Sequence, residues 1–318
     1  MILIVTNERD LTSDFVVLEL ERRGLRFWRL NSERLPEAKV SFDPRLGEDG
    51  WKVALGGQAI ELSQVRAAYF RRPGQPEVSA NVKADAARRY CQTEWTAVLQ
   101  SALASLGKRW LNNPLAIMAA ENKPRQLAAA VRLGFSVPDT LISNDWREAK
   151  GFVSAGPTVV KPVREALIEQ EGDESVIFTT RLAVLNENDV QSVAVSPVIF
   201  QREIRKLSDI RATVVTDTVL AAEILSQQYE ETSVDWRRGH RLDVDHRPHV
   251  LPADIERKCI EIVRSLDLRF GAVDLILDER GQYWFLEVNP NGQWAWIENR
   301  TRMPITRAIV DELQRIAA

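Results

Sequence analysis

The stretch that decides the fold covers residues 271–290 and reads GAVDLILDERGQYWFLEVNP. Both of its ends are apolar for several residues, and the polar segment 278–281 separates them. Apolar runs of this length around a short segment that ends in glycine are typical of two antiparallel strands joined by a turn. The stretch therefore predicts a β-hairpin in the C-terminal part of the chain.

The faces of this hairpin determine which side chains can meet. Alternation along a strand puts Glu287 and Asn289 on one face, with Leu286 and Val288 on the other. A turn with an even number of residues would place Asp274 directly opposite Glu287. A turn with an odd number would direct Asp274 away.

Two carboxylates and an amide oxygen on one sheet face form a set of hard oxygen donors. The set Asp274, Glu287 and Asn289 suits Mg²⁺. The alternative is that these polar residues are merely solvated at a strand end. A carboxylate pair buried without a cation would be costly, and Glu287 and Asn289 alternate with apolar residues, so the metal interpretation is favoured.

Composition limits the class of protein. The chain has 318 residues, which at about 150 residues per domain predicts two domains. Apolar residues make up 45% and charged residues 27%, and the net charge of −3 gives no electrostatic reason to expect nucleic acid or an anionic membrane as partner. The chain contains no apolar stretch of about 20 residues, no basic leader and only Cys91 and Cys259, which predicts a cytoplasmic protein.

The two halves of the chain differ in pattern. Residues 1–6 and 25–30 read as strands around a helix that ends at Arg23, with Gly24 as its C-terminal cap, so the chain opens with a βαβ unit. The segment Asn112-Asn113-Pro114 marks a break. After it, antiparallel strands mixed with helices predict an α+β unit that follows the first α/β unit.

Phosphate binding needs residues other than a glycine-rich motif, because the chain contains neither GxxxxGK[ST] nor GxGxxG after its first strand. Lys161 ends an apolar strand, and Lys123 lies at the start of a helix. A compact ammonium at either place could contact phosphate. The alternative for each lysine alone is an ordinary exposed charge.

A third candidate set lies at the end of one strand and in the next. Asp209 and Arg211 are two positions apart in an extended segment, so they share a face, and the arginine could hold a carboxylate or a phosphoryl group. An exposed, salt-bridged strand is the alternative. Free backbone groups at the strand end before them could pair with an adenine edge, and the residues concerned are Gln201, Arg202, Glu203 and Ile204.

The histidines suggest a weaker alternative. His240, His246 and His249, with Asp243 and Asp245 between them, could form a zinc cluster. Their spacing fits no helical pair and the run is very polar, so a solvated loop is favoured. Separately, the basic turn at residues 71–73 either reaches an acidic peptide or is simply exposed.

These motifs together resemble a known fold. In this order along the chain, residues 157–162, 201–211 and 274–289 look like the ATP-grasp ligase fold. Further stretches make the chain similar to the maturases of microviridin-type ribosomal peptides (graspetide synthetases) of the RimK-like ATP-grasp superfamily: FLEVNPNGQW at 285–294, NKPRQL at 122–127 and YFRRP at 69–73. The resemblance covers nearly the whole chain, and EVNPNGQW is its specific part.

The resemblance implies an N-terminal pre-ATP-grasp α/β domain over residues 1–112 and an ATP-grasp domain over residues 113–318. Within the latter, it implies a central lid part over about 113–195 and a catalytic part over about 196–318. In the family, the loop after the position of Lys161 is small or glycine-rich. This chain instead continues with VREAL at 163–167, and its first glycine there is Gly172.

The resemblance also assigns roles. Asp274, Glu287 and Asn289 would hold Mg²⁺, two ions in all, between the β- and γ-phosphates of ATP. Lys123 and Lys161 would contact phosphates.

Four further roles follow from the same resemblance. Residues 201–204 would form the adenine hinge, and Arg237 would be a γ-phosphate arginine. Asp209 would bind ribose or position the attacking group. Arg211 would hold the acceptor carboxylate or the acyl phosphate. Metal and cationic clamps are also what in-line phosphoryl transfer requires on chemical grounds.

The implied activity is a ligase that makes an acyl phosphate from ATP and a side-chain carboxylate, after which a hydroxyl or amine of the same peptide closes an ω-ester or ω-amide ring. Its partner would be a ribosomal precursor peptide with a leader and a core containing Ser, Thr or Lys and Asp or Glu. The family also implies a homodimer. The alternatives are a RimK-like amino-acid ligase and a catalytically silent nucleotide-binding regulatory module.

Overall fold

The computed structural model describes residues 1–164, 167–170, 173–241 and 243–318, with backbone alone at 167–170, 173–176 and 239–241. Part of the loop after Lys161, including Glu165, Ala166 and Gly172, lies outside the described residues. In the described ranges, no helix is long and apolar enough to cross a membrane.

The N-terminal part is built on a parallel sheet in the order β2-β1-β6-β7, beside an antiparallel sheet in the order β3-β4-β5. The predicted βαβ opening is confirmed, because β1 pairs with β2 in parallel. Helix α1 ends before Gly24, whose φ of +67° suits a glycine cap. The elements are β1 (Ile2–Thr6), α1 (Leu11–Arg22), β2 (Phe27–Asn31), β3 (Lys39–Phe42), β4 (Trp51–Leu55), β5 (Gln58–Glu61), β6 (Ala67–Phe70), α2 (Asp85–Ala104) and β7 (Trp110–Leu111).

The central part carries an antiparallel sheet in the order β12-β9-β13-β8, and the hairpin β10-β11 lies outside this sheet. Strand β13 pairs with both β8 and β9, so it belongs to the central sheet, although the expected division near residue 195 assigned it to the C-terminal part. The elements are α3 (Pro114–Ala120), α4 (Lys123–Arg132), β8 (Thr140–Ser143), α5 (Trp146–Ser154), β9 (Thr158–Lys161), β10 (Leu167–Gln170), β11 (Asp173–Val176), β12 (Thr180–Leu182), α6 (Val190–Val195) and β13 (Val198–Arg202).

The C-terminal part contains the largest sheet, which is antiparallel in the order β16-β15-β14-β17-β18. The predicted hairpin forms its β17–β18 edge. The loop expected for the histidine-rich run is wrong for residues 246–249, which form the edge strand β16, whereas residues 243–245 are loop. The elements are β14 (Lys206–Val215), β15 (Thr218–Ile224), β16 (His246–His249), α7 (Ala253–Ser265), β17 (Phe270–Asp278), β18 (Tyr283–Asn289), α8 (Ala295–Thr301) and α9 (Ile305–Ala317).

Apolar residues cover both faces of this sheet. On one face, α4 and α7 contribute to a core that includes Cys259 and Phe285. On the other face, α1, α8 and α9 join the N-terminal parallel sheet in a core that includes Ile4, Trp294 and Ile309. Burial of a large apolar side chain in such a core contributes about 1.5–3 kcal/mol to the free energy of folding. The hairpin strands are thereby held on a rigid platform that connects the N- and C-terminal parts.

Candidate active site

A cavity of about 770 Å³ lies where the C-terminal sheet faces the end of β9 and the start of α4. Its walls contain most of the residues that the sequence selected for chemistry: Lys123, Lys161, Asp209, Arg211, Arg237, Asp274, Glu287 and Asn289. These residues are far apart in the chain, so only the tertiary structure brings them together. Their convergence makes this cavity the candidate active site.

The hairpin places Asp274 directly opposite Glu287. The turn does not produce this register in the expected way. Leu277 pairs with Tyr283, which leaves an odd number of residues in the turn, and a β-bulge between Asp274 and Leu275 shifts the pairing by one. The bulge therefore restores the facing that an odd turn alone would have lost.

The same bulge changes which neighbours share a face. Phe285 and Val288 are both buried in the core. Leu286 lines the cavity beside Glu287. The expectation that Leu286 and Val288 share a face is therefore wrong, because alternation is interrupted where the strand carries its extra residue.

The two carboxylates lie in a place where negative charge is costly without a cation. Burial raises the pKa of Asp274 above its usual range; Arg211 opposes this shift and Glu287 adds to it. Burial would also raise the pKa of Glu287, but the positive charges of Lys123 and Lys161 hold it below its usual range. Two facing carboxylates and the amide of Asn289 thus fit a hard divalent cation such as Mg²⁺.

The two lysines meet beside Glu287, although they come from different elements. Lys123 is the first residue of α4, and the side chain of Asn122 caps this helix by accepting the N–H of Arg125 at 2.9 Å. The Lys123 Nζ lies 3.4 Å from Glu287 Oε2 and donates to the carbonyl of Pro162 at 3.3 Å. The sequence-selected lysines are therefore inside the cavity rather than on the surface.

Lys161 enters the cavity from the end of β9. Removal from water lowers the pKa of its ammonium, while the negative charge of Glu287 acts in the opposite direction. Its charge is thus poorly hydrated and available for an anionic ligand such as a phosphate.

Strand β14 directs two charged residues into the cavity. The Nη1 of Arg211 donates to both carboxylate oxygens of Asp274, at 2.8 and 2.7 Å, while its Nε is buried and has no hydrogen-bond partner among the described residues. The Oδ2 of Asp209 accepts a 2.7 Å hydrogen bond from Lys206, which sequence reasoning missed. A register shift between Lys206 and Ser208 permits this contact, because residues three apart in a regular strand face opposite sides.

Arg237 approaches from the segment before β16. Its Nε and Nη2 donate to the carboxylate of Asp235 at 2.8 and 2.5 Å, and these bonds raise the pKa of Arg237. Asp235 was also missed, and it accepts the N–H of Thr179 at 3.1 Å, next to β12. This carboxylate therefore connects the arginine to the central sheet.

The predicted adenine segment is outside the walls of the cavity, which in the described ranges include none of residues 201–204. The side chain of Gln201 is buried and donates to Thr140 Oγ1 at 2.9 Å, and the Arg202 guanidinium lies 4.5 Å from the ring centre of Phe152. The N–H groups of Arg202 and Glu203 are used inside the fold; their acceptors are the carbonyls of Asp139 and Pro157. The expectation of free N–H groups at these two positions is therefore wrong.

The histidine run forms no zinc site in the described part of the chain, where no group of three or more His, Cys, Asp or Glu side chains is arranged to hold a metal. The side chain of His240 lies outside that part. His246 lines the cavity, with its ring 5.0 Å from the ring centre of Trp296. His249 instead contacts the hydroxyl of Tyr283 at 2.7 Å.

The basic turn after β6 is only partly exposed. Arg71 is 1% exposed and donates to the backbone carbonyl and the side-chain oxygen of Asn291, in the loop after β18. Arg72 lines the candidate active site. The alternative of an exposed basic turn is therefore wrong for Arg71, whereas Arg72 is exposed at the wall of the cavity.

Comparison with known families identifies both parts of the chain. The RimK-like ATP-grasp domain matches residues 120–313. The chain belongs to the RimK-like ATP-grasp family. The MvdD pre-ATP grasp domain matches residues 1–118. The protein is thus an ATP-grasp ligase with an N-terminal pre-ATP-grasp domain, which confirms the predicted fold class.

Solved structures of this family cover almost the whole chain. The macrocyclase MdnC bound with precursor peptide MdnA, from Microcystis aeruginosa MRC, is 28% identical with a TM-score of 0.84, over 99% of both chains. The RiPP-associated ATP-grasp ligase of Chryseobacterium gregarium, in complex with ADP and a leader and core peptide, is 28% identical with a TM-score of 0.85, over 99% of this chain and 96% of the other.

The chain is also similar to curated glutamate ligases. The probable alpha-L-glutamate ligase of Citrobacter koseri is 28% identical over 218 residues, which is 67% of this chain and 69% of that protein. The ribosomal protein bS6–L-glutamate ligase of Escherichia coli O7:K1 matches to the same extent. These relatives cover less of the chain than the peptide macrocyclases do.

Proposed function

We propose that this ATP-grasp ligase closes ω-ester or ω-amide rings between side chains of a ribosomally made precursor peptide. The observation that carries the proposal is the convergence of Asp274, Glu287 and Asn289 with cationic side chains in one cavity. Similarity to the MdnC macrocyclase over 99% of the chain supports the substrate class. The precursor would contain a leader and a core with Ser, Thr or Lys and Asp or Glu.

ATP is the co-substrate and Mg²⁺ the metal. Asp274, Glu287 and Asn289 are the residues that would hold two Mg²⁺ ions, and bound Mg²⁺ would neutralise charge on the triphosphate. Lys123 and Lys161 bind phosphate oxygens, because their ammonium groups face Glu287 inside the cavity.

Arg237 completes the cationic wall, and Asp235 fixes its guanidinium plane at hydrogen-bonding distance. Such fixed donors stabilise the charge that develops during phosphoryl transfer without having to reorganise. Residues 201–204 connect the central and C-terminal sheets, and the adenine base binds there through carbonyl groups and the N–H of Ile204, since the N–H groups of Arg202 and Glu203 are already bonded.

Ring closure proceeds in two steps. A carboxylate oxygen of the peptide attacks the γ-phosphorus and ADP leaves, which gives an acyl phosphate. A hydroxyl or amine then attacks the acyl carbon, loses its proton and expels inorganic phosphate. Arg211 binds the acceptor carboxylate and then the acyl phosphate, since its Nε is an unused buried donor that faces this chemistry.

Asp209 is placed to position the attacking group. It lies two residues from Arg211 on the same strand and lines the same cavity. Lys206 holds its carboxylate through a 2.7 Å bond, which leaves the other oxygen for the hydroxyl or ammonium of the peptide. The reaction is set in the cytoplasm, where ATP is available and where the thiols of Cys91 and Cys259 are free, as found here.

The second candidate is a RimK-like amino-acid ligase. It is favoured by the RimK-like domain and by 28% identity to the glutamate ligases. Both candidates share the acyl-phosphate step and differ in the nucleophile.

Ring closure lowers the mass of the peptide by one water per ring, whereas amino-acid addition raises the mass of the acceptor. A silent nucleotide-binding module would bind ATP and release no ADP.

The deciding experiment incubates the enzyme with ATP, Mg²⁺ and the precursor peptide encoded beside its gene, and follows peptide mass and ADP. We expect loss of one water per ring with one ADP per ring, and no reaction after Mg²⁺ is removed with EDTA. Glu287→Gln should lower the rate by at least about 10²-fold, as removal of an electrostatic group from an active site does. Glu279→Gln, in the turn of the same hairpin, is the matched control and should retain full activity. An unchanged peptide mass with a verified precursor would refute the proposal.

A further inference from the structure

One charged side chain of the cavity comes from the N-terminal domain, and the mechanism above gives it no role. Arg72 follows strand β6 and lines the cavity together with Arg211 and Asp274. It is exposed to solvent, as a ligand-binding group must be. The pre-ATP-grasp domain therefore contributes directly to the wall of the active site.

The backbone at Arg72 is unusual. Its φ of +44° lies in the left-handed region, which favours glycine and is costly for a residue with a side chain. The carbonyl of Arg72 accepts a hydrogen bond from the Nδ2 of Asn7 at 2.5 Å, and the neighbouring Arg71 is anchored to Asn291. The surrounding contacts thus keep a strained residue in place, which is a common feature of functional sites.

The charges of the cavity divide into two groups. Lys123, Lys161 and Arg237 act on Glu287. Arg72 belongs to the other group: the partial burial of its guanidinium lowers its pKa, and so does the positive charge of Arg71 and, to a smaller extent, of Arg211. The first group surrounds a proposed metal ligand, whereas Arg71, Arg72 and Arg211 form an arginine cluster in which Arg211 is bonded to Asp274.

The arginine cluster has unused hydrogen-bond donors. The Nε and Nη2 of Arg71 and the Nε of Arg211 are buried and have no partner among the described residues. The acidic side chains near the cluster are Asp10, whose Oδ2 lies 3.8 Å from Arg71 Nε, and Asp274. Buried donors that lack acceptors are costly, and of Arg71 and Arg211 only Arg211 is among the residues that line the cavity, so an anion in the cavity would be stabilised beside Arg211.

We propose that Arg72 and Arg211 together bind the carboxylate of the acceptor Asp or Glu of the peptide before it is phosphorylated. This inference rests on the proposed function and names the part of the protein that selects the acidic residue. Guanidinium groups suit a planar carboxylate because they donate paired, parallel hydrogen bonds. The ammonium groups of Lys123 and Lys161 act as point charges, which suits phosphate. The pre-ATP-grasp domain thereby takes part in choosing the acceptor.

The test uses Arg72→Gly, because glycine adopts the φ of +44° without strain and the variant should be at least as stable as the wild type. Loss of a charge-assisted bond of this kind should lower kcat/KM for the precursor by roughly tenfold to a hundredfold. The KM for ATP should stay unchanged, and Arg72→Lys should recover part of the activity. Arg66→Ala, one residue before the start of β6, is the control, and its kcat/KM should equal that of the wild type.

A binding measurement separates this inference from the proposed function. A fluorescent precursor and a version with its core Asp and Glu changed to Asn and Gln are titrated into the enzyme with Mg²⁺ and ADP, where no turnover occurs. The wild type should prefer the acidic peptide, and Arg72→Gly should lose about tenfold of that preference. Equal preference in both enzymes, or a rise in the KM for ATP in Arg72→Gly, would overturn the inference whether or not the wild type closes rings.

Discussion

At the scale of single residues, the site depends on the ion pair in which the guanidinium of Arg211 neutralises the carboxylate of Asp274. Arg211 and Asp274 are only 7% and 16% exposed in their side chains and are joined through both carboxylate oxygens. The sequence predicted only that Arg211 could hold an anion. The pair itself is a consequence of β14 lying beside β17, where the two residues are direct neighbours.

Arg211→Ala should destabilise the protein as well as stop the reaction, because it leaves Asp274 buried without its partner. We expect a loss of about 3 kcal/mol in the free energy of unfolding, measured by urea denaturation. The double variant Arg211→Ala/Asp274→Asn removes both charges and should recover most of that stability while remaining inactive. If the double variant were no more stable than Arg211→Ala, the uncompensated charge would not be the cause.

At the scale of elements, the position of β18 is fixed by helix α4 as well as by its hairpin partner. Gln126 is 2% exposed. Its Nε2 donates to the carbonyls of Ala120 and Val288, at 2.6 and 2.7 Å, and its Oε1 accepts the N–H of Val288 at 2.8 Å. Lys123 begins the same helix. Helix α4 therefore fixes the position of a proposed phosphate-binding lysine relative to Val288, the residue next to Glu287.

Gln126→Leu should therefore affect both stability and metal use. The variant leaves the N–H and C=O of Val288 without partners in the core, which should cost about 2–4 kcal/mol in the free energy of unfolding. The Mg²⁺ concentration for half-maximal activity should rise, because β18 is no longer held beside α4. Arg132→Leu, on the exposed side of the same helix, is the control, and an equal effect in that variant would contradict the assignment.

At the scale of the whole molecule, the pre-ATP-grasp domain contributes Arg72 to the wall of the candidate active site. We propose that it ends at residue 112, directly after β7. Asn112 is 4% exposed. Its Nδ2 donates to the carbonyls of Phe270 and Pro290, at 2.7 and 3.1 Å, and its Oδ1 accepts the N–H groups of Arg269 and Phe270, at 2.7 and 2.9 Å. One side chain at this border thus holds the start of β17 and the loop after β18.

Two neighbouring asparagines give a matched comparison of this border. Asn112→Ala should lower the free energy of unfolding by about 3 kcal/mol, because several buried backbone groups lose their partner. Asn113→Ala removes the cap of α3, where the side chain accepts the N–H of Leu115, and an exposed 3.3 Å bond to the carbonyl of Gly107, and should cost about 1 kcal/mol. Chemical denaturation of the two variants measures the difference, and similar losses would mean that the border is not held by Asn112.

The sequence by itself determined the fold family, the enzyme class and the use of ATP through motifs that resemble a known family, such as residues 285–294. Strand periodicity alone selected Asp274, Glu287 and Asn289 as a candidate Mg²⁺ set, because the direction of neighbouring side chains is a property of a short stretch. Only the tertiary structure decided the contacts of Lys206 with Asp209 and of Arg237 with Asp235. It also placed residues 201–204 outside the walls of the cavity and Arg72 within them. The physical reason is that bulges, sheet order and domain packing depend on contacts between residues distant in the chain. A one-residue bulge such as the one beside Asp274 reverses the direction of the side chains that follow it, and the local residue pattern does not encode its position.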